Sequence, residues 1–131
     1  MPNLLLIDDD NDLRHVLARG LRRDGHEVLE APDGKVALRM LGETPIDLVI
    51  TDIIMPEMEG IELITRLRKQ HPGLPVIAMS AGGRLNPATH LQIAQSFGVR
   101  KTLSKPFELS ALLAAVNELL PPTAKPIEPT A

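Results

Sequence analysis

The chain has 131 residues, 14 of them basic and 17 acidic, for a formal charge of -3; that suits one domain with a real core and gives no general attraction to nucleic acid or anionic membrane. It contains no Cys, no Trp, no Tyr and two Phe, so disulfides and thiolate chemistry are excluded and base stacking is poorly served. The opening MPNLLLIDDD carries an apolar run far too short for a signal peptide or a membrane span, and the expected location is cytoplasmic.

Short apolar runs alternate with helical patterns as far as residue 120, which predicts βα units feeding a parallel sheet. The first strand is expected from Asn3 to Ile7 and runs into Asp8-Asp9-Asp10. In the helix that follows, Leu13, Val16, Leu17, Gly20 and Leu21 recur at helical spacing and predict one buried stripe, with Arg14, Arg19, Arg22 and Arg23 on other faces. Asp10 is a natural N-cap for it. A second strand is expected over Glu27 to Glu30, a helix over Val36 to Leu41, and a third strand over Leu48 to Thr51 that ends against Asp52. Met55-Pro56 and Gly60 then predict a turn into a helix over Ile61 to Leu67.

The fourth strand, Val76 to Met79, ends in Ser80. The segment AGGRLNPATH leads to the least regular helix, Leu91 to Phe97, and is expected to be a mobile loop that reorganises. A fifth strand over Arg100 to Leu103 precedes Lys105-Pro106, and Leu109, Leu112, Leu113, Val116, Leu119 and Leu120 mark the final helix. The remainder, PPTAKPIEPTA, has four prolines and few apolar residues. The expected organisation is a folded domain over residues 1–121 and a Pro-rich disordered tail over 122–131.

In an open parallel sheet, residues just beyond the strand carboxyl ends share one edge, and ligands bind there where the strand order reverses. Asp8 and Asp9, Asp52, Ser80 and Lys105 all fall at that edge. Singly, each passes for a cap, a turn residue or a surface charge; jointly they suggest a site. Two carboxylates about 4 Å apart repel by roughly 4 kcal/mol at an effective dielectric near 20, so such a cluster calls for a cation. Oxygen donors without Cys or converging His favour Mg²⁺. Asp52 then becomes a feasible nucleophile for an aspartyl phosphate, with Lys105 as a point charge and Ser80 as a hydroxyl donor to phosphoryl oxygens.

LLLIDDD, VITDIIMPEMEG, IAMSA and LSKPF, in this order and separation, resemble the receiver domain of bacterial two-component response regulators, over residues 3 to about 120. The resemblance implies a flavodoxin-like α/β fold: a doubly wound, five-stranded parallel sheet of order 2-1-3-4-5 with five helices. It further implies that Asp52 is the phosphoacceptor, that Asp8 and Asp9 are the acidic pair with Asp9 the more direct Mg²⁺ ligand, and that the Ile54 backbone carbonyl is a third protein ligand. Ser80 is similar to the family's switch hydroxyl, and Lys105 to its lysine, which often precedes a cis proline, here Pro106.

The implied partners are a sensor histidine kinase or histidine phosphotransfer protein upstream and a protein target downstream. A stand-alone receiver, signalling by protein contact without direct nucleic-acid or membrane binding, is expected rather than a separate metabolic enzyme. Three features depart from the family pattern, the first being the AGGRLNPATH segment, which is longer and richer in glycine than in compact members. Thr102 stands where an aromatic rotamer switch is frequent, and Ile54 is apolar at a position that influences attack by water.

The competing readings are a binding-only pseudo-receiver and, from the enzyme class, an aspartyl-nucleophile phosphatase similar to haloacid dehalogenases. In the second, Asp8 and Asp10 supply the paired acids, although no cap domain is expected. A flavin-binding protein is disfavoured by the lack of Trp and Tyr. His15, His26, His71 and His90 lack the i, i+4 pairing of a metal helix and are expected to be surface or packing residues. Gly82-Gly83 lacks the pattern of a nucleotide loop, and Phe97 and Phe107 are expected in the core.

Overall fold

A computed structural model describes residues 2–52, 60–80, 99–105 and 107–120. The expected Met55-Pro56 turn, Ile54, the AGGRLNPATH segment with Gly82-Gly83 and His90, the helix over Leu91 to Phe97, Pro106 and the 122–131 tail lie outside the described residues.

The elements are β1 (Asn3–Ile7), α1 (Asn11–Arg23), β2 (Glu27–Ala31), α2 (Gly34–Glu43), β3 (Leu48–Asp52), α3 (Gly60–Gln70), β4 (Val76–Ser80), β5 (Lys101–Ser104) and α4 (Leu109–Leu119). All five expected strands form, and each extends or shifts by a residue at its carboxyl end except β1. They pair in parallel as one sheet of order β2-β1-β3-β4-β5, the flavodoxin-like arrangement. Among the described residues there are four helices; α4 is the last of the five expected.

Parallel strands buried on both faces read as continuous apolar runs, and LLLI of β1 is fully buried on both sides. Alternation sends Leu5 and Ile7, Val49, and Val76 and Ala78 to one face, against Ala37 and Leu41 of α2 and Leu63, Ile64 and Leu67 of α3. Leu4 and Leu6, Leu48 and Ile50, and Ile77 and Met79 face the other way, onto Leu17, Ala18 and Leu21 of α1 and Leu112, Ala115 and Val116 of α4. Phe107 is partly buried against this second cluster. Right-handed crossovers explain the division: the chain steps one way from β1 to β2, under α1, then reverses past β1 to β3 and β4 with α2 and α3 on the opposite face.

The helix ends follow local chemistry. Asp10 Oδ1 accepts from the Leu13 N–H at 3.0 Å and caps α1 as expected, and Asp33 Oδ1 does the same for the Val36 N–H of α2 at 2.9 Å. Beyond α1, Gly25 adopts φ 94°. That left-handed turn lets its N–H reach the Arg22 carbonyl and the His26 N–H reach that of Leu21.

Two expectations about α1 are corrected. Val16, placed in the buried stripe, is 58% exposed, whereas Arg14, placed on an outer face, is buried along with Ala18. The buried face is centred on Arg14, Leu17, Ala18 and Leu21, with Gly20 at its side against Leu109 of α4, where a Cβ would sit 2.5 Å from Leu109 Cδ2. Val16 shares that side of α1 and lines the same surface groove as Gly20 and Leu109.

Candidate functional site

The sheet order reverses between β1 and β3, since the chain leaves β1 towards β2 and leaves β3 towards β4. The connections therefore diverge and leave a crevice at the carboxyl ends of these two strands. Ile7 pairs with Thr51 at the last β1–β3 step, so Asp8 and Asp52 follow side by side. Asp52 belongs to β3 itself rather than following it, and the buried Thr51 hydroxyl donates to its carbonyl at 2.9 Å.

Asp8 is fully buried and Asp52 is 5% exposed, whereas Asp9 is exposed. Each of these acids offers one carboxylate oxygen within 4.8 Å of the others. Lys105, just past β5, bridges two of them: its Nζ donates to Asp8 Oδ2 at 2.7 Å and to Asp52 Oδ2 at 3.0 Å. The other Asp8 oxygen accepts from the Asp10 N–H at 2.9 Å. Burial alone would lower the pKa of the Lys105 ammonium, but its hydrogen bond to Asp8 and the attraction and hydrogen bond of Asp52 outweigh that, leaving it above the ordinary lysine value. The lysine is thus a firmly held cation.

Ser80 ends β4 and lies level with Ser104 of β5, which puts its backbone at the same sheet edge. Asp8, Asp9, Asp52 and Lys105 are therefore brought together, Ser80 is placed at their edge, and Ile54 lies outside the described residues. Thr102 is half-buried in β5. His15 is exposed and pairs with Glu30, while His26 is buried beside Asp24.

The donor set fits a hard divalent cation. Oxygens on one Mg²⁺ with ligand distances near 2.1 Å lie about 3–4 Å apart, a spacing compatible with acid oxygens that all fall within 4.8 Å of one another. Asp8 and Asp52 are already aligned by strand pairing, and Asp9 is the exposed member with room to adjust.

Sequence reasoning missed Arg14 and Glu30. The Arg14 guanidinium donates through Nη1 to the Asp8 carbonyl at 2.7 Å and through Nε to Glu30 Oε1 at 3.2 Å. Nothing in the helical spacing distinguishes Arg14 from its solvated neighbours; its position six residues after Asp8 is the only sequence signal, and it is weak.

Known proteins sharing this pattern are numerous. The family described as the response regulator receiver domain matches residues 4–117. The response regulator receiver protein CpdR of Brucella abortus is 37% identical over 122 residues, covering 92% of this chain and 98% of CpdR. The transcriptional regulatory protein GlrR of Escherichia coli is 38% identical over 122 residues, covering 93% of this chain. This chain spans only 27% of GlrR's length. Among solved structures, the Vibrio cholerae chemotaxis protein CheY4 superposes with a TM-score of 0.82 at 29% identity, covering 92% of this chain and 99% of CheY4. The receiver domain of Brucella abortus NtrX gives 0.83 at 30% identity, covering 89% and 97%. Sheet order, acid cluster and sequence likeness agree, and the chain belongs to the response regulator receiver domain family.

Proposed function

We propose that this chain is a receiver whose Asp52 accepts a phosphoryl group from a phosphohistidine on a sensor kinase or phosphotransfer protein, in a Mg²⁺-dependent reaction, and that it signals by phosphorylation-dependent protein contact. The observation that carries this reading is the Lys105 ammonium bridging Asp8 and Asp52 at the topological switch point.

In the transfer, a carboxylate oxygen of Asp52 forms a bond to phosphorus as the phosphorus–nitrogen bond of the donor breaks, and the donor imidazole, already protonated on its other nitrogen, keeps the bonding electrons and leaves as the neutral ring. Asp8, Asp9 and Asp52, with the Ile54 carbonyl, are the residues proposed to hold Mg²⁺, which when bound neutralises charge on the phosphoryl oxygens. Lys105 exchanges one carboxylate contact for a phosphoryl oxygen, a move its flexible stem and three donors permit. Ser80 donates its hydroxyl to another phosphoryl oxygen.

Drawing Ser80 towards the phosphate changes the surface presented to a partner. Shifting a two-state receiver from mostly inactive to mostly active requires about 5.5 kcal/mol of preference, to which a charge contact, a hydroxyl bond and a divalent cation all contribute. No helix among the described residues is long and apolar enough to cross a membrane.

The phosphatase reading loses ground because Asp10, its second acid, is occupied as the cap of α1. Phosphotransfer from an autophosphorylated kinase tests the proposal: transfer to the native chain and none to Asp52→Ala is expected, and normal regulation of the downstream partner by Asp52→Ala would contradict it.

A further inference from the structure

The acid cluster has a support on its protein side. The β1–β2 ladder ends at the Ile7–Ala31 pair, and the Asp8 N–H still donates to the Ala31 carbonyl at 3.2 Å. Strand β2 ends at Ala31, with Pro32 next in the sequence. The Asp8 carbonyl, in a residue with no exposed surface, accepts instead from Arg14 Nη1 at 2.7 Å. Arg14 is 7% exposed, and its charge is balanced by Glu30 at 3.2 Å.

Glu30 is itself anchored from two sides. Its Oε1 is 2.6 Å from His15 Nδ1 and its Oε2 is 3.3 Å from Arg22 Nη2, while Arg22 Nη2 also donates to the Val28 carbonyl at 2.8 Å. A planar guanidinium can serve a carbonyl and a carboxylate at once in fixed geometry, which an ammonium cannot match. The result is a chain of contacts from β2, through Arg14, to the main chain of the most buried acid in the cluster.

We propose that Arg14, oriented by Glu30, is a positioning residue for the metal site: by fixing the Asp8 peptide it keeps the Asp8 carboxylate aimed at Asp9, Asp52 and Lys105, and so sets the affinity for the divalent cation. The proposal rests on the Mg²⁺-dependent reading above. A purely structural ion pair would affect folding stability and leave metal affinity of the folded protein untouched. Partners that orient metal ligands commonly change affinity by about 10- to 100-fold when removed.

The test is calorimetric titration of the full chain with MgCl₂, beside far-UV circular dichroism to verify folding, for the native chain, Arg14→Met, Arg14→Lys, Glu30→Gln and Arg22→Gln. Arg14→Met is expected to weaken Mg²⁺ binding about tenfold or more. Arg14→Lys should restore part of that loss. Glu30→Gln should weaken binding about threefold or more, and Arg22→Gln, which does not touch Asp8, less than about twofold. Folded Arg14→Met with an affinity within about twofold of the native chain would overturn the proposal. If Arg14→Met does not fold, Glu30→Gln decides by its own threshold: the stated loss supports the proposal and a smaller one overturns it. Failure of the native chain itself to bind Mg²⁺ would overturn the metal reading, and the positioning role with it, whereas native binding with unaffected variants refutes the positioning role alone.

Discussion

Replacing Lys105 with Met removes the cation between two buried carboxylates while keeping most of the side-chain volume. Its Nζ lies 2.7 Å from Asp8 and 3.0 Å from Asp52. Without it, acid oxygens lying within 4.8 Å of one another repel by at least about 3.5 kcal/mol per pair at an effective dielectric near 20. Removing one partner of a buried pair typically costs about 3–5 kcal/mol, and uptake of a proton by one acid limits the damage. We take about 3 kcal/mol, which at a urea slope of about 1.5–2 kcal/mol/M lowers the midpoint by roughly 1.5–2 M. With no Trp or Tyr in the chain, far-UV circular dichroism is the suitable probe. Mg²⁺ should then stabilise the variant more than the native protein, because the ion restores the missing positive charge; at a hundred times its dissociation constant it returns about 2.7 kcal/mol. A variant within about 0.5 kcal/mol of native stability without Mg²⁺, or a larger Mg²⁺ effect on the native protein, would refute this electrostatic account.

Three further outcomes are expected. Since the native pKa of Lys105 is raised, its pairing stabilises the fold fully below the unfolded value of about 10.4 and loses that contribution as pH rises through the higher native value; urea midpoints at alkaline pH should fall for the native chain and lack this component in Lys105→Met. Asp10→Ala removes the cap of α1 and should cost about 1 kcal/mol in urea melts, while leaving the rate of phosphorylation by acetyl phosphate unchanged, as a catalytic second acid would not. Ser80→Ala should still accept the phosphoryl group but lose most of the phosphorylation-dependent amide shifts beyond the site in NMR spectra, and retention of native shifts would remove Ser80 from the switch.

What was legible in the sequence follows from how each signal arises. LLLI and LVIT read as strands because a sheet covered on both faces leaves no polar alternation, and the acids that follow had to emerge at one edge once the strands were parallel. Lys105 could be placed there from its strand alone, yet its bridge between Asp8 and Asp52 is a contact across 97 and 53 positions that no local pattern encodes. The orientation of α1 was misread because apolar spacing has no means of sensing the Asp8 carbonyl and Glu30 that hold Arg14 inside, while Val16 stays exposed. Arg14 and Glu30 escaped notice for the same reason: their role depends on where the β1–β2 ladder stops.

The most direct test of the central claim is the intact mass of the chain after incubation with acetyl phosphate, with and without Mg²⁺, beside Asp52→Asn. The account predicts one added phosphoryl group, dependent on Mg²⁺ and absent from Asp52→Asn. No gain by the correctly folded native chain, or an equal gain by Asp52→Asn, would contradict it.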